Sequence, residues 1–282
     1  MQRHAPVATN AVLAAPASPD AQLVEELAAV LRRAEAGRIP VAPLTEEYED
    51  LDLAGAYAVQ EANVRIRLAA GEHLVGRKVG LTSLAMREQL GLPEASFGTL
   101  FQSMVIPDGG TIDTRELITP RAEAEVGLVL GRRLSGPRVT DAEVRAAVTQ
   151  VALAVEIIDS RIADWHVSQA DTVADNASSA RVVVGRPVDA TDDLLTGLRD
   201  ECVGLYADGE RVAFGLGAEV LGDPLRAVAW LARTLHAHGS ALHPGELLLT
   251  GSVHASVPLT PGSRLAVRSD TGRLPGLTVT VR

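Results

Sequence analysis

Glu123 and Glu125 stand two apart in PRAEAEVGLVLG, residues 120–131, and a run of Val and Leu follows them at once. On a strand, residues i and i+2 project to one face, so both carboxylates point one way while Ala122, Ala124 and Val126 point the other. An exposed strand face is the simplest reading, since solvated glutamates need no partner. Burial would instead demand a cation, because uncompensated charge is costly to desolvate. A third carboxylate, Glu156 in AVEIIDS, lies among Ala154, Val155, Ile157 and Ile158, a setting that solvation explains poorly. Three carboxylates from two neighbouring strands make a hard, oxygen-rich site suited to Mg²⁺ or Mn²⁺, with positions left for a chelating substrate. No His/Cys spacing accompanies them, so zinc fits less well.

Other chemically capable residues sit nearby in sequence. Lys78, in GRKVGLTS, could be pushed towards its neutral form by burial or held charged by the glutamates, and a plain salt bridge is the competing reading. Asp159 and Arg161 are close enough to pair with each other. Asp164, Asp171 and Asp175 could extend a metal site, but in so polar a stretch they read better as caps and turn formers. Ser178 and Ser179 could donate to a substrate carboxylate or cap the next element. His166 and His254 read as surface or packing residues. The chain contains no GxSxG elbow, P-loop or GxGxxG fingerprint.

The elements that must position these groups follow from patterning. Asp20 opens a helix with Leu23, Leu27, Val30 and Leu31 on one face, and a second helix runs from about Asp52 to Ala70, ended by Gly71. LVGRKVGLTS reads as a strand and loop, AMREQLGL as a short helix, and GTLFQSMVIPDGG and ITPRAEAEVGLVLG as strands. Thr140 and Glu143 have capping-box spacing, so TDAEVRAAVTQVA is expected to be helical, with LAVEIIDS a strand after it. The polar stretch 161–180 is too irregular for one element. VGLYADGERVAFG is a hairpin turning at Asp208-Gly209, Asp223-Pro224 starts a helix closed by Gly239, and ELLLTGS, RLAVRS and LTVTVR are strands. The fold class is therefore α+β: a disordered leader over residues 1–20, a helical region over 21–75 and a catalytic β-rich domain over 76–282. A cleaved signal is the alternative for the leader.

Bulk properties exclude several function classes. At 282 residues the chain can bury a sizeable core, and 46% hydrophobic and 22% charged residues are ordinary for a globular protein. A net charge of −10, with no basic cluster, repels nucleic acid. No apolar run is long enough for a membrane span. The single Cys202 rules out an intrachain disulfide, and the expectation is a cytoplasmic protein.

GRKVGLTS, FGTL, PRAEAEVGLVL, VEIIDSRIADW, DTVADNASS and the late TGS together resemble the 2-hydroxypentadienoate (2-oxopent-4-enoate) hydratases. Their relatives are the 4-oxalocrotonate decarboxylases, both within the fumarylacetoacetate hydrolase superfamily. The resemblance runs from about Tyr57 to the C-terminus. It implies a mixed β-roll with Glu123, Glu125 and Glu156 as Mg²⁺ or Mn²⁺ ligands, Lys78 and Ser178 as catalytic residues, and Thr250 and Ser252 near the substrate. One departure stands out: PEASFG places Ser96 where the family carries an acid/base aspartate, with Glu94 two residues earlier. The implied activity is a lyase of aromatic catabolism that hydrates 2-hydroxypenta-2,4-dienoate to 4-hydroxy-2-oxopentanoate. Decarboxylation of 4-oxalocrotonate is the alternative, and an inactive scaffold subunit of a hydratase–decarboxylase complex the second. Hydrolytic C–C cleavage ranks lower, lacking a His beside a Glu near the ExE pair. The resemblance also implies homo-oligomers, with a related decarboxylase or aldolase as a possible associate.

Overall fold

A computed structural model describes residues 20–282. Of the leader expected over 1–20, all but Asp20 lies outside the described residues. Three helices come first: α1 (Ala21–Gly37), α2 (Leu44–Glu47) and α3 (Leu53–Ala69). The Asp20 carboxylate accepts from Gln22 N–H to cap α1, which buries Val24, Leu27, Ala28 and Leu31. Asp52 caps α3 in the same way, and Gly71 follows it at φ 88°, the left-handed stop the sequence predicts. α3 docks on the rest of the chain through the Tyr57 ring, stacked on Phe97 at 4.7 Å, and through the Gln60 amide, which donates to Phe97 O and Val173 O.

Strand β1 (Leu74–Gly80) leads to helix α4 (Leu84–Leu90), capped by Ser83 and closed by Gly91. β2 (Ser96–Phe101), β3 (Val105–Pro107), β4 (Thr111–Ile112) and β5 (Arg121–Leu130) follow. Then come α5 (Asp141–Arg145), β6 (Val148–Ile158), α6 (Gln169–Ala174), β7 (Ser179–Val184), β8 (Val188–Asp189) and α7 (Asp192–Gly197). The last third holds β9 (Cys202–Ala207), β10 (Glu210–Leu216), α8 (Pro224–Ala237), β11 (Leu247–Ser252), β12 (Val257–Pro258), β13 (Arg264–Ser269) and β14 (Leu277–Val281). A nine-stranded sheet runs β2-β1-β11-β5-β6-β7-β3, with β12 beside β5 and β8 beside β6. A five-stranded sheet runs β10-β9-β13-β14-β4. The hairpin at Asp208-Gly209 forms as expected, with both residues at positive φ.

β5 and β6 pair antiparallel along almost their whole lengths in the middle of the larger sheet. Ala122, Ala124, Val126, Val151, Leu153 and Val155 are sealed into the principal core. Burying each Val or Leu side chain contributes roughly 1.5–3 kcal/mol, so this pair anchors the fold.

Two expectations need correction. The helix read over TDAEVRAAVTQVA forms its capping box but ends at Arg145, and Val148–Ala152 belong to β6. β-Branched Val148, Thr149 and Val151 suit a strand, and a full antiparallel partner in β5 outweighs helix propensity there. Asp159 does not pair with Arg161 through its carboxylate. It accepts from Ile118 N–H and Thr119 N–H, while the Arg161 guanidinium pairs with Asp175 fourteen residues on. Among the other polar-loop aspartates, Asp171 caps α6 and Asp164 sits in a left-handed turn, as caps and turn formers do.

Candidate metal centre

The register of β5 and β6 sets Glu123 directly opposite Glu156, and Glu125 follows two residues along β5. The exposed-face reading fails. Glu123 is 4% exposed, and Glu125 and Glu156 are fully buried. One carboxylate oxygen from each lies within 4.8 Å of the others. β1 delivers Lys78, itself buried, with Nζ 3.3 Å from Oε2 of Glu156. That contact is an ion pair without hydrogen-bond alignment, because neither Glu156 oxygen has a hydrogen-bond partner among the described residues, nor does Oε1 of Glu125.

Orphaned buried carboxylate oxygens are expensive, and here three converge. Three carboxylates and one ammonium leave a formal −2, the charge that one divalent cation would cancel. The donor set is all oxygen, as Mg²⁺ and Mn²⁺ prefer. These residues therefore fit such an ion. Burial, with repulsion from Glu156, pushes the Glu123 carboxyl up to about 8 against the pull of Lys78 and Arg121. Glu125 is raised well above the usual carboxylate range by burial and then by Glu156 and Glu123, with Lys78 and a backbone donor opposing. Burial alone would lower Lys78, but attraction to Glu156, Glu123 and Glu125 outweighs it and the ammonium is held charged.

Backbone at the strand ends fixes these side chains. Gly251, in the TGS stretch of β11, donates its N–H to Oε2 of Glu125 at 2.7 Å. Its φ is 108°, and a Cβ there would stand 1.9 Å from Thr82 Oγ1, so only glycine fits. Asn176, Ala177 and Ser178 all adopt positive φ, and this left-handed turn lies against β2. The Asn176 side chain accepts from Thr99 N–H and donates to Thr99 O, mimicking a neighbouring strand.

The remaining sequence candidates divide. Ser96 is buried with its hydroxyl unpartnered, and a Cβ added at Gly80 would meet both Ser96 Oγ at 3.3 Å and Lys78 Nζ at 3.4 Å. Ser96 and Lys78 thus flank one spot. Glu94 is exposed and does not replace the aspartate. Ser178 is buried, with a long 3.4 Å contact from its Oγ to Asp175. Thr250 and Ser252 spend their hydroxyl protons on Val126 O and His254 O, so they brace β11 and can face a ligand only as acceptors. His254 is a packing residue: it is buried, its Nε2 accepts from Ala124 N–H, and its Nδ1 lies 2.8 Å from Ala255 O. One neutral tautomer satisfies both contacts, which leaves no lone pair for a base. His166 is a surface residue. Sequence reasoning missed Thr82, a buried hydroxyl without a partner, and Gly251 as a ligand-orienting donor; the glycine of TGS was the available signal.

Comparison with known proteins gives the family. The chain is 44% identical to a 2-keto-4-pentenoate hydratase of Paraburkholderia xenovorans (strain LB400) over 238 residues, 84% of this chain and 88% of that protein. It is 38% identical to a 2-hydroxyhexa-2,4-dienoate hydratase of Comamonas testosteroni over 87% of this chain and 93% of that one. The structure of 4-oxalocrotonate decarboxylase from Pseudomonas putida G7, complexed with magnesium and adipate, superimposes with a TM-score of 0.88 at 35% identity, covering 93% and 98% of the two chains. The model of the fumarylacetoacetate (FAA) hydrolase C-terminal family matches residues 73–282, the part that carries all four charged groups of the centre, and the chain belongs to that family.

Proposed function

We propose that the protein is a divalent-metal-dependent lyase acting on a small 2-oxo or 2-hydroxy-dienoic acid. The reaction is hydration of 2-hydroxypenta-2,4-dienoate to 4-hydroxy-2-oxopentanoate. The observation that carries this reading is the buried Glu123–Glu125–Glu156 cluster with Lys78 against it. Mg²⁺ or Mn²⁺ held by the three glutamates would supply Lewis acidity towards the carboxylate and 2-oxygen of the substrate. Lys78, kept as an ammonium, donates a proton or steadies negative charge developing at the 2-oxygen; such help is worth roughly 10²–10⁴-fold. Ser96 and Ser178 orient the substrate or a water by hydrogen bonding, and Thr250 and Ser252 hold the strand that fixes Glu125. Burial excludes bulk water, which strengthens each of these electrostatic effects.

One observation favours decarboxylation as the second reading. Ser96 occupies the position of the family's acid/base aspartate, and a hydroxyl is a poor proton acceptor. Loss of CO₂ needs less proton traffic than addition of water across a double bond.

The test is purified protein with Mg²⁺ or Mn²⁺, assayed for loss of dienoate absorbance and for CO₂ release from 4-oxalocrotonate. Hydration is expected, falling about 100-fold or more in Lys78→Met and rising in Ser96→Asp. CO₂ release alone would install the second reading. Neither turnover nor metal-dependent oxalate binding would make the chain a scaffold.

A further inference from the structure

β1 has two faces, and only one belongs to the metal centre. Lys78 projects to the centre, so strand alternation sends its neighbour Arg77 to the opposite face, together with Phe97 and Thr99 of β2. On that side α3 and the C-terminal end of α8 border a cleft of about 490 Å³, a size typical of small-molecule sites.

Arg77 lines this cleft. It is only 9% exposed, yet its guanidinium makes a single long hydrogen bond, from one Nη to Gly76 O at 3.3 Å. Nε is buried and has no partner among the described residues. A buried guanidinium with its N–H groups so poorly engaged is costly. The charged groups that face it, Glu246 and Glu61, do not make up the deficit: burial outweighs their attraction and holds Arg77 below its ordinary pKa. Glu246 is itself buried with one oxygen unpartnered, and Glu61 is exposed at the rim.

The other walls are apolar and largely aromatic. Tyr57 stacks on Phe97 with centroids 4.7 Å apart, and the His238 ring tilts against Tyr57 at 4.7 Å. Leu68 and Leu74 continue the wall. A flat apolar body with one negative head matches both halves, because rings and leucines cover the body while the planar guanidinium pairs with the head. An inorganic anion would leave the aromatic wall bare, and an uncharged ring would leave Arg77 unpaired.

We propose that this cleft is a second binding site, for an aromatic monocarboxylate, with Arg77 holding the carboxylate. It lies on the far side of β1 from Glu123, Glu125 and Glu156 and stands independently of the reading of the metal centre.

The test titrates the full chain calorimetrically with benzoate and with benzamide, its uncharged analogue, once with Mn²⁺ and saturating oxalate present and once with neither. Benzoate is expected to bind under both conditions, about ten-fold or more tightly than benzamide, as one charge-assisted pair allows. Arg77→Met should bring benzoate down to the benzamide level. Ala58→Trp, which fills the cleft from α3 and leaves Arg77 in place, should abolish binding of both while Mn²⁺ affinity stays unchanged; if Arg77→Met does not fold, this variant decides alone. No benzoate binding by the unaltered protein, or binding that Mn²⁺ with oxalate displaces, would overturn the site. Equal affinity for benzamide, or benzoate affinity unchanged in either folded variant, would overturn it as well.

Discussion

Glu123 and Glu156 face each other across one strand pair, yet in metal-free protein their removal should have unequal effects. Glu156→Gln takes away the nearest partner of a buried ammonium, and breaking such a pair costs about 3–5 kcal/mol. Glu123→Gln replaces a carboxyl that burial and Glu156 already hold largely protonated below about pH 8, and should be close to neutral. Both should lose most of their Mn²⁺ affinity. Denaturant midpoints in chelator, together with Mn²⁺ titration followed by electron paramagnetic resonance, check the contrast; equal destabilisation by the two would contradict it. The three glutamates were legible because charges at spacing two, and a lone charge among Ile and Val, are chemically conspicuous. The Arg161–Asp175 pair was not, because its members meet only after the turn through α6 has folded. Nor was the engagement of Thr250 and Ser252 by backbone carbonyls, which depends on an irregular register between β11 and β5.

At the scale of elements, the centre depends on how strand ends are held. Gly251→Ala would drive a methyl into Thr82 and strain a backbone at φ 108°, at a cost of order 1–3 kcal/mol. The same change displaces the N–H that orients Glu125, so metal affinity should fall about ten-fold or more, as loss of a hydrogen bond to a ligating carboxylate does. Adding Thr82→Ala should recover only part of the stability, since the dihedral strain remains; thermal melts and Mn²⁺ titration of both variants would show it. Helix starts, the Asp208-Gly209 hairpin and the main strands were readable from caps, turn residues and alternation. The end of α5 was not, because VTQVA has acceptable helix periodicity and only its pairing with β5 makes it strand. The β-roll itself came from family resemblance, since the order in which strands pair is set by contacts that no local pattern encodes.

For the whole molecule, the raised carboxyls link protonation to stability. A group whose pKa is higher folded than unfolded favours the folded state when protonated, so metal-free protein should lose stability as pH climbs from 4.5 through about 8, the range set by Glu123. A divalent ion binds the deprotonated glutamates and reverses the trend. The rise in Tm on adding Mn²⁺ should therefore be larger at pH 8 than at pH 6, and a rise that shrinks with pH would refute this linkage. Among the described residues no helix is long and apolar enough to cross a membrane. The side chains that would grip the ion are 0–4% exposed, and Lys78 behind them only 2%. A cation seated there shows a chelator only the face left for substrate, so its release waits until the three buried glutamates part from it in a local opening. Stripping by EDTA should thus proceed at a rate that stops depending on EDTA concentration, slow enough to follow by hand mixing, and inactivation should lag well behind the addition of the reagent.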